Sequence, residues 1–89
     1  MRKVYEDERI KVSLTGRDYD FIATVENKTD EAVAVVPDIG GLFEVIFVDP
    51  LDWVGLLAND EDRNTLKALK TGRFFVCPKK VYEEEFCNG

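Results

Sequence analysis

Residues 42–48, with the sequence LFEVIFV, form the most apolar stretch of the chain and constrain its fold most strongly. Two glycines precede this stretch, and Asp49 and Pro50 follow it. A short apolar run of β-branched and aromatic residues between turn residues is typical of a strand buried on both faces. We therefore expect a central strand over 42–48, with other elements covering both of its sides. Glu44 interrupts the run, either as a buried functional carboxylate or as a side chain that points to solvent.

Alternation of apolar and polar residues predicts three further strands before this one. Residues 9–15 and 19–26 alternate strictly, and residues 31–36 are rich in valine and alanine. Strict alternation places the apolar side chains on one face of a strand. Short polar turns separate the three segments, so we expect them to form an antiparallel meander. The charged residues 1–8 are expected to be loose or to pair along a sheet edge.

The C-terminal half has the pattern of helices followed by a strand. Asp49 and the proline after it are typical of a helix start, which predicts one helix over 50–58 and a second over 60–71. A last strand is predicted over 73–77. In residues 79–86 the lysines come first and the glutamates last, against the helix dipole, so we expect this tail to be extended.

These elements predict an α+β fold in a single domain that spans residues 1–89. The expected architecture is a mostly antiparallel sheet of about five strands, with one or two helices inserted before the last strand. Glycines in the turns would allow the sheet to bend sharply and curl into a small barrel.

The composition excludes several classes of function. Twelve basic residues against 18 acidic ones give a formal net charge of −6, which opposes direct binding to nucleic acid or to an anionic membrane. The chain contains no histidine, and no glycine motif typical of a phosphate-binding loop is present. We therefore expect no enzymatic activity, no metal and no cofactor. The acidic N-terminal residues lack the apolar core of a signal peptide, which favours a cytoplasmic protein.

Acidic clusters and the only tryptophan are the candidate contacts with a partner protein. These residues are Asp49, Asp52, Trp53, Asp60, Glu61, Asp62, Glu83, Glu84 and Glu85. The acids within residues 49–62 either form a face that docks on a basic partner or cap the starts of two helices. The tryptophan is either an interface anchor or a core residue packed over the sheet. The glutamates near the C-terminus form either a docking tail or a solvated end.

Three functions are compatible with these features. The first is a small acidic, non-enzymatic protein-binding module, an inhibitor that docks on a basic surface of a nucleic-acid-handling protein. The second is a structural or assembly subunit that forms a homo-oligomer through its sheet edge. The third is a small-ligand-binding domain, with Glu44 and the loop over 37–41 as its site. No motif in the sequence identifies a family.

Overall fold

The computed structural model describes residues 2–17, 20–40, 44–57 and 63–86. Within these ranges the chain forms strands and helices in the order β1 (Arg2–Glu6), β2 (Ile10–Arg17), β3 (Asp20–Asn27), β4 (Val33–Pro37), β5 (Ile46–Val48), β6 (Trp53–Leu57), α1 (Arg63–Thr71), β7 (Phe74–Pro78) and α2 (Lys79–Phe86).

The described strands form two antiparallel sheets. The first sheet has the order β1-β2-β3-β6, and the second has the order β5-β4-β7. The predicted α+β class with antiparallel strands is confirmed. The prediction of one sheet of about five strands is wrong, and the two sheets do not close into a barrel. One helix precedes the last strand, whereas the other follows it.

The two sheets face each other across one apolar core. The first sheet contributes the alternating side chains of β2 and β3, as the sequence pattern predicts. The second sheet contributes side chains from all three of its strands, and α1 adds Leu66 and Leu69. Burying a side chain of this size contributes about 1.5–3 kcal/mol, so this cluster is the main source of stability.

The predicted three-stranded meander is wrong because the third strand leaves the first sheet. The chain crosses after β3, and β4 pairs with β5 and β7, while β6 takes the place beside β3. All five residues of β4 are buried. A strand that is apolar on both faces buries more of its side chains at the centre of the second sheet than it would in a sheet with one solvated face.

Residues 42–48 do not form the central strand that their composition predicts. Only β5 is a strand in this region, and it lies at an edge of the second sheet. Ile46 and Val48 enter the core, whereas Phe47 is 42% exposed. Glu44 is exposed and precedes the strand, so of the two alternatives for this residue the solvent-facing one is confirmed. Residues 42 and 43 lie outside the described ranges.

The predicted helix over 50–58 is also wrong, because a tight turn leads directly into β6. The amide of Asp52 donates to the carbonyl of Asp49 at 3.2 Å, and Leu51 between them has a φ of 54°. This left-handed conformation does not fit the first turn of a helix. After the turn, Val54 and Leu56 pack against the core while Trp53 is exposed, which is the two-residue period of a strand.

The helix predicted over 60–71 is present from Arg63, and residues 60–62 lie outside the described ranges. Its end at Gly72 is confirmed. Gly72 has a φ of 74°, and the amide of Arg73 donates to the carbonyl of Ala68 at 2.9 Å, which is the hydrogen bond of a glycine C-cap. The predicted last strand is confirmed as β7.

Residues 79–86 form α2 and are not extended. The amide of Lys79 donates to the carbonyl of Ala32 at 2.9 Å, which anchors the start of the helix on the loop before β4. Tyr82 contacts Phe47 edge-on with ring centroids 5.5 Å apart, and Lys79 approaches Glu83 to 3.8 Å. The contacts with Ala32 and Phe47, together with this ion pair within the helix, outweigh an unfavourable arrangement of charge along α2, which costs only about 0.3–1 kcal/mol per group.

Candidate protein-binding face

The turn before β6 brings three of the predicted contact residues together. Asp49 and Asp52 are both exposed, and Trp53 follows directly as the first residue of β6. The Oδ1 atom of Asp52 accepts a hydrogen bond from the amide of Trp53 at 2.8 Å. Among the described strands β6 pairs with β3 alone, so this corner lies at the edge of the first sheet.

Trp53 lies on the outer face of the first sheet, and 61% of its surface is exposed. The prediction that it packs in the core is therefore wrong. A methyl group placed on Gly55 would lie 3.5 Å from Cζ3 of Trp53 and 3.7 Å from Cγ2 of Ile22. The indole ring and Ile22 therefore flank the bare backbone of Gly55. Ile22 is itself 41% exposed, so the two side chains form one apolar surface.

A shallow groove of about 290 Å³ runs from this apolar surface across the sheet. Its lining consists of Lys11, Ser13, Thr24, Glu26 and Trp53. The strand register explains this set, because Lys11, Glu26 and Trp53 are direct neighbours across three strands, and so are Ser13, Thr24 and Gly55. We call the groove, together with Ile22, Gly55 and the turn residues Asp49 and Asp52, the Trp53 face.

Charge is distributed unevenly over the outer face of the first sheet. On the β1 side, Glu6 accepts hydrogen bonds from Lys28 at 3.1 Å and from Lys3 at 3.2 Å, and these two contacts lower the pKa of its carboxyl. The β6 side has Glu26 beside the indole ring and Asp52 directly before Trp53 in the chain, with Lys11 as the basic neighbour of Glu26 on β2. The surroundings of Trp53 are therefore the more acidic part of this surface.

The remaining predicted contact residues do not join this face. Glu83, Glu84 and Glu85 are exposed on α2, which packs against β4 and β7 of the second sheet. They therefore belong to the opposite side of the molecule from the indole ring. Asp60, Glu61 and Asp62 lie outside the described ranges. Asp49 belongs to a turn, so its expected role as a helix cap is wrong.

Sequence reasoning missed six members of this face, namely Lys11, Ser13, Ile22, Thr24, Glu26 and Gly55. The alternation within β3 does contain a signal, because Ile22 occupies an outward position where a polar residue is expected. The contribution of Gly55 and the position of Glu26 beside Trp53 depend on the pairing of β3 with β6. That pairing is a long-range feature that local patterns do not reveal.

A second groove, of about 530 Å³, lies beside α1 and has a basic lining. It is formed by Ile39, Gly40, Asn64, Lys67, Thr71 and Arg73. Glu44 does not line it, and the amide of Glu44 instead donates to Oγ1 of Thr65 at 2.9 Å. The small-ligand site that the sequence suggests around Glu44 is therefore not built around a buried carboxylate.

A polar cluster at the start of β2 connects the two sheets by hydrogen bonds. The carboxylate of Asp7 accepts hydrogen bonds from the Tyr5 hydroxyl at 2.6 Å and from the amides of Arg9 and Ile10 at 2.7 and 2.9 Å. Burial alone would raise the pKa of Asp7, but these hydrogen bonds outweigh it and the pKa is lowered. The Arg9 side chain donates to the carbonyl of Val76 at 2.7 Å, which links the first sheet to β7.

No three carboxylate or cysteine side chains in the described ranges converge as metal ligands would. The described helices are also too short or too polar to cross a membrane. No protein family model, curated protein or solved structure matches this chain.

Proposed function

We propose that this protein is a small acidic, non-enzymatic binding module that docks through the Trp53 face on a basic surface of another protein. The observation that carries the proposal is a tryptophan with 61% of its surface exposed, next to Asp52 and across from Glu26. Tryptophan is enriched among the residues that dominate binding energy at protein interfaces.

The exposed indole ring provides the apolar part of the expected interaction. At about 25 cal/mol per Å², covering the exposed part of a tryptophan contributes about 3 kcal/mol to association. Ile22 extends the apolar area. Gly55 lies between Trp53 and Ile22 and has no side chain, so a side chain of the partner can approach the backbone there. The polar lining of the groove supplies hydrogen-bonding groups around this centre.

The acidic surroundings determine the class of partner that we favour. The chain has a net charge of −6, and near Trp53 the exposed acids Asp49, Asp52 and Glu26 outnumber Lys11. Complementary charge accelerates association and disfavours other acidic proteins. Proteins that handle nucleic acid have basic surfaces for phosphate binding, so an inhibitor of such a protein is the specific role that we propose.

Affinity capture with matched variants tests this proposal. The bait proteins are the wild type, Trp53→Ala, the double variant Asp49→Asn/Asp52→Asn, and the control Glu84→Gln/Glu85→Gln on α2. We expect the wild type and the control to retain one basic protein from native lysate at low salt, and both variants of the Trp53 face to lose it. Raising the salt from about 0.05 M to about 0.5 M should release it, because screening weakens contacts between exposed charges.

Calorimetry with the purified partner then measures the affinities. Trp53→Ala should weaken binding by at least about 2 kcal/mol, which is the usual criterion for a dominant interface residue. Equal binding of the wild type and Trp53→Ala, or capture of no protein, would overturn the proposal.

A further inference from the structure

The exposed edge of β6 differs from the other sheet edges in the described ranges. β1 has charged residues at three of its five positions, β5 is only three residues long, and β7 ends in a proline. Charged residues, short length and proline are the usual protections of an edge strand against pairing with another chain. β6 has the sequence WVGLL, which contains no charged residue and no proline.

The hydrogen-bonding pattern of the first sheet shows which backbone groups of β6 face outward. The amide of Asn27 donates to the carbonyl of Asp52 at 2.8 Å, so these two residues form a hydrogen-bonded pair. Such pairs recur at every second residue of an antiparallel ladder. Val54 and Leu56 therefore bond to β3, whereas the amide and carbonyl groups of Gly55 and Leu57 point away from it.

We propose that this edge receives an extended segment of the partner protein as an additional strand of the first sheet. The inference rests on the proposed function and specifies its mode of recognition. Main-chain hydrogen bonds to Gly55 and Leu57 would supply affinity, as in other complexes formed by strand addition. Alternate side chains of the added strand would lie on the outer face beside Trp53, where apolar residues suit the indole ring and lysine or arginine suits Asp52.

Charge favours a basic partner segment over a second copy of this chain. The chain has a net charge of −6, and the exposed acids Asp49 and Asp52 lie directly before β6. Pairing of two copies would bring two molecules of like net charge together, and electrostatic repulsion opposes that association.

Synthetic peptides test the mode of binding directly. The probe is a peptide of about ten residues with alternating lysine and valine, which favours an extended conformation. A matched control has the same sequence with N-methyl groups on every second backbone nitrogen, which removes hydrogen-bond donors but retains all charges and side chains. A second control replaces lysine with glutamate. Amide hydrogen exchange and chemical shifts of the protein, measured by NMR, are the readouts.

We expect the lysine-valine peptide to slow the exchange of the Gly55 and Leu57 amides by at least about tenfold, because exchange requires opening of the new hydrogen bonds. The N-methylated peptide should bind at least about tenfold more weakly, which corresponds to the loss of about one net hydrogen bond. The glutamate peptide should not bind. Trp53→Ala should weaken binding of the lysine-valine peptide.

Three results would overturn the inference. The first is equal binding of the methylated and unmethylated peptides, with Trp53 still required. This result would mean that the Trp53 face binds through its side chains without strand addition, and the proposed function would stand. The second is no binding of the lysine-valine peptide, which would rule out strand addition as the mode of recognition. The capture experiment tests the proposed function separately. Slow exchange of Gly55 and Leu57 that depends on protein concentration without peptide would identify a second copy as the occupant.

Discussion

Asn27 is a small buried residue whose loss should disturb the fold strongly. Its side chain is only 1% exposed, and its Nδ2 atom lies within hydrogen-bond distance of the carbonyls of Glu31, Val48 and Asp49. Its Oδ1 atom accepts from the amide and the hydroxyl of Thr29. This one amide group thus joins the end of β3, the crossover to β4 and the end of β5.

Asn27→Asp should lower the free energy of unfolding by about 2–4 kcal/mol, because a carboxylate would face three carbonyl groups with no donor to offer them. Urea denaturation followed by circular dichroism measures the change. Asp30→Ala, an exposed substitution in the same loop, should stay within about 0.5 kcal/mol of the wild type. Similar stabilities for Asn27→Asp and the control would show that the network contributes little.

Asp7 gives the fold a specific sensitivity to acid. Its pKa in the folded state is below the ordinary value of 3.8, despite the opposing effect of burial. A lowered pKa means that its stabilising effect is present above the unfolded pKa and is lost as the pH falls through the folded pKa. The stability of Asp7→Asn should therefore fall less steeply than that of the wild type between about pH 5 and about pH 2.

Tyr5→Phe tests the origin of this effect, since the hydroxyl of Tyr5 donates to Asp7. NMR titration should show a higher pKa for Asp7 in this variant. Identical acid unfolding of the wild type and Asp7→Asn would contradict the assignment.

At the scale of elements, β6 is a strand although its local sequence favours a helix. Substitutions at Gly55 distinguish a strand from a helix at this position. A methyl group at this position meets only ordinary contacts at 3.5 and 3.7 Å, so there is room for a side chain. Glycine weakens either element, but valine suits a strand better than alanine does, and the reverse holds in a helix.

The free energy of unfolding of Gly55→Val should therefore be at least as high as that of Gly55→Ala. Both values should exceed that of the wild type by about 0.5–1 kcal/mol. Urea denaturation measures the order of the three proteins. A valine variant clearly less stable than the alanine variant would point to a helical conformation.

The contact between β5 and α2 can be measured by a double-mutant cycle. Phe47 and Tyr82 meet edge-on with ring centroids 5.5 Å apart. The coupling energy between Phe47→Ala and Tyr82→Ala should be about 0.5–1.5 kcal/mol, as is typical of aromatic pairs. Val81→Ala on an exposed position of α2 serves as the control and should show no coupling with Phe47→Ala. Additive effects of the aromatic substitutions would mean that α2 does not pack on β5.

These elements also show how far the sequence predicts the structure. Strict alternation located β2 and β3, and a glycine located the end of α1. The helix predicted over 50–58 was wrong because the residues that cap helices also form turns, and the left-handed Leu51 has no sequence signal. The start of α2 depends on a hydrogen bond to Ala32, which is distant in the chain. The adjacency of Asp52 and Trp53 was evident from the sequence, but the exposure of the indole ring was not.

For the whole molecule, the order of the strands determines which contacts must form over long distances. The chain passes from the first sheet to the second after β3, returns for β6, and passes back again for β7. Pairing of β3 with β6 joins residues about thirty positions apart, so it closes a long loop before it contributes stability. The candidate face depends on this pairing and therefore forms only with the complete fold.

The position of the only tryptophan outside the core has a consequence for spectroscopy. An indole ring with 61% of its surface already exposed in the native state should emit at long wavelength, and unfolding should change its fluorescence little. Phe47, Tyr82 and the other aromatic residues do not substitute for it as a strong emitter. Intrinsic fluorescence should thus change little when the protein unfolds. Any molecule that covers Trp53 should shift the emission to shorter wavelength.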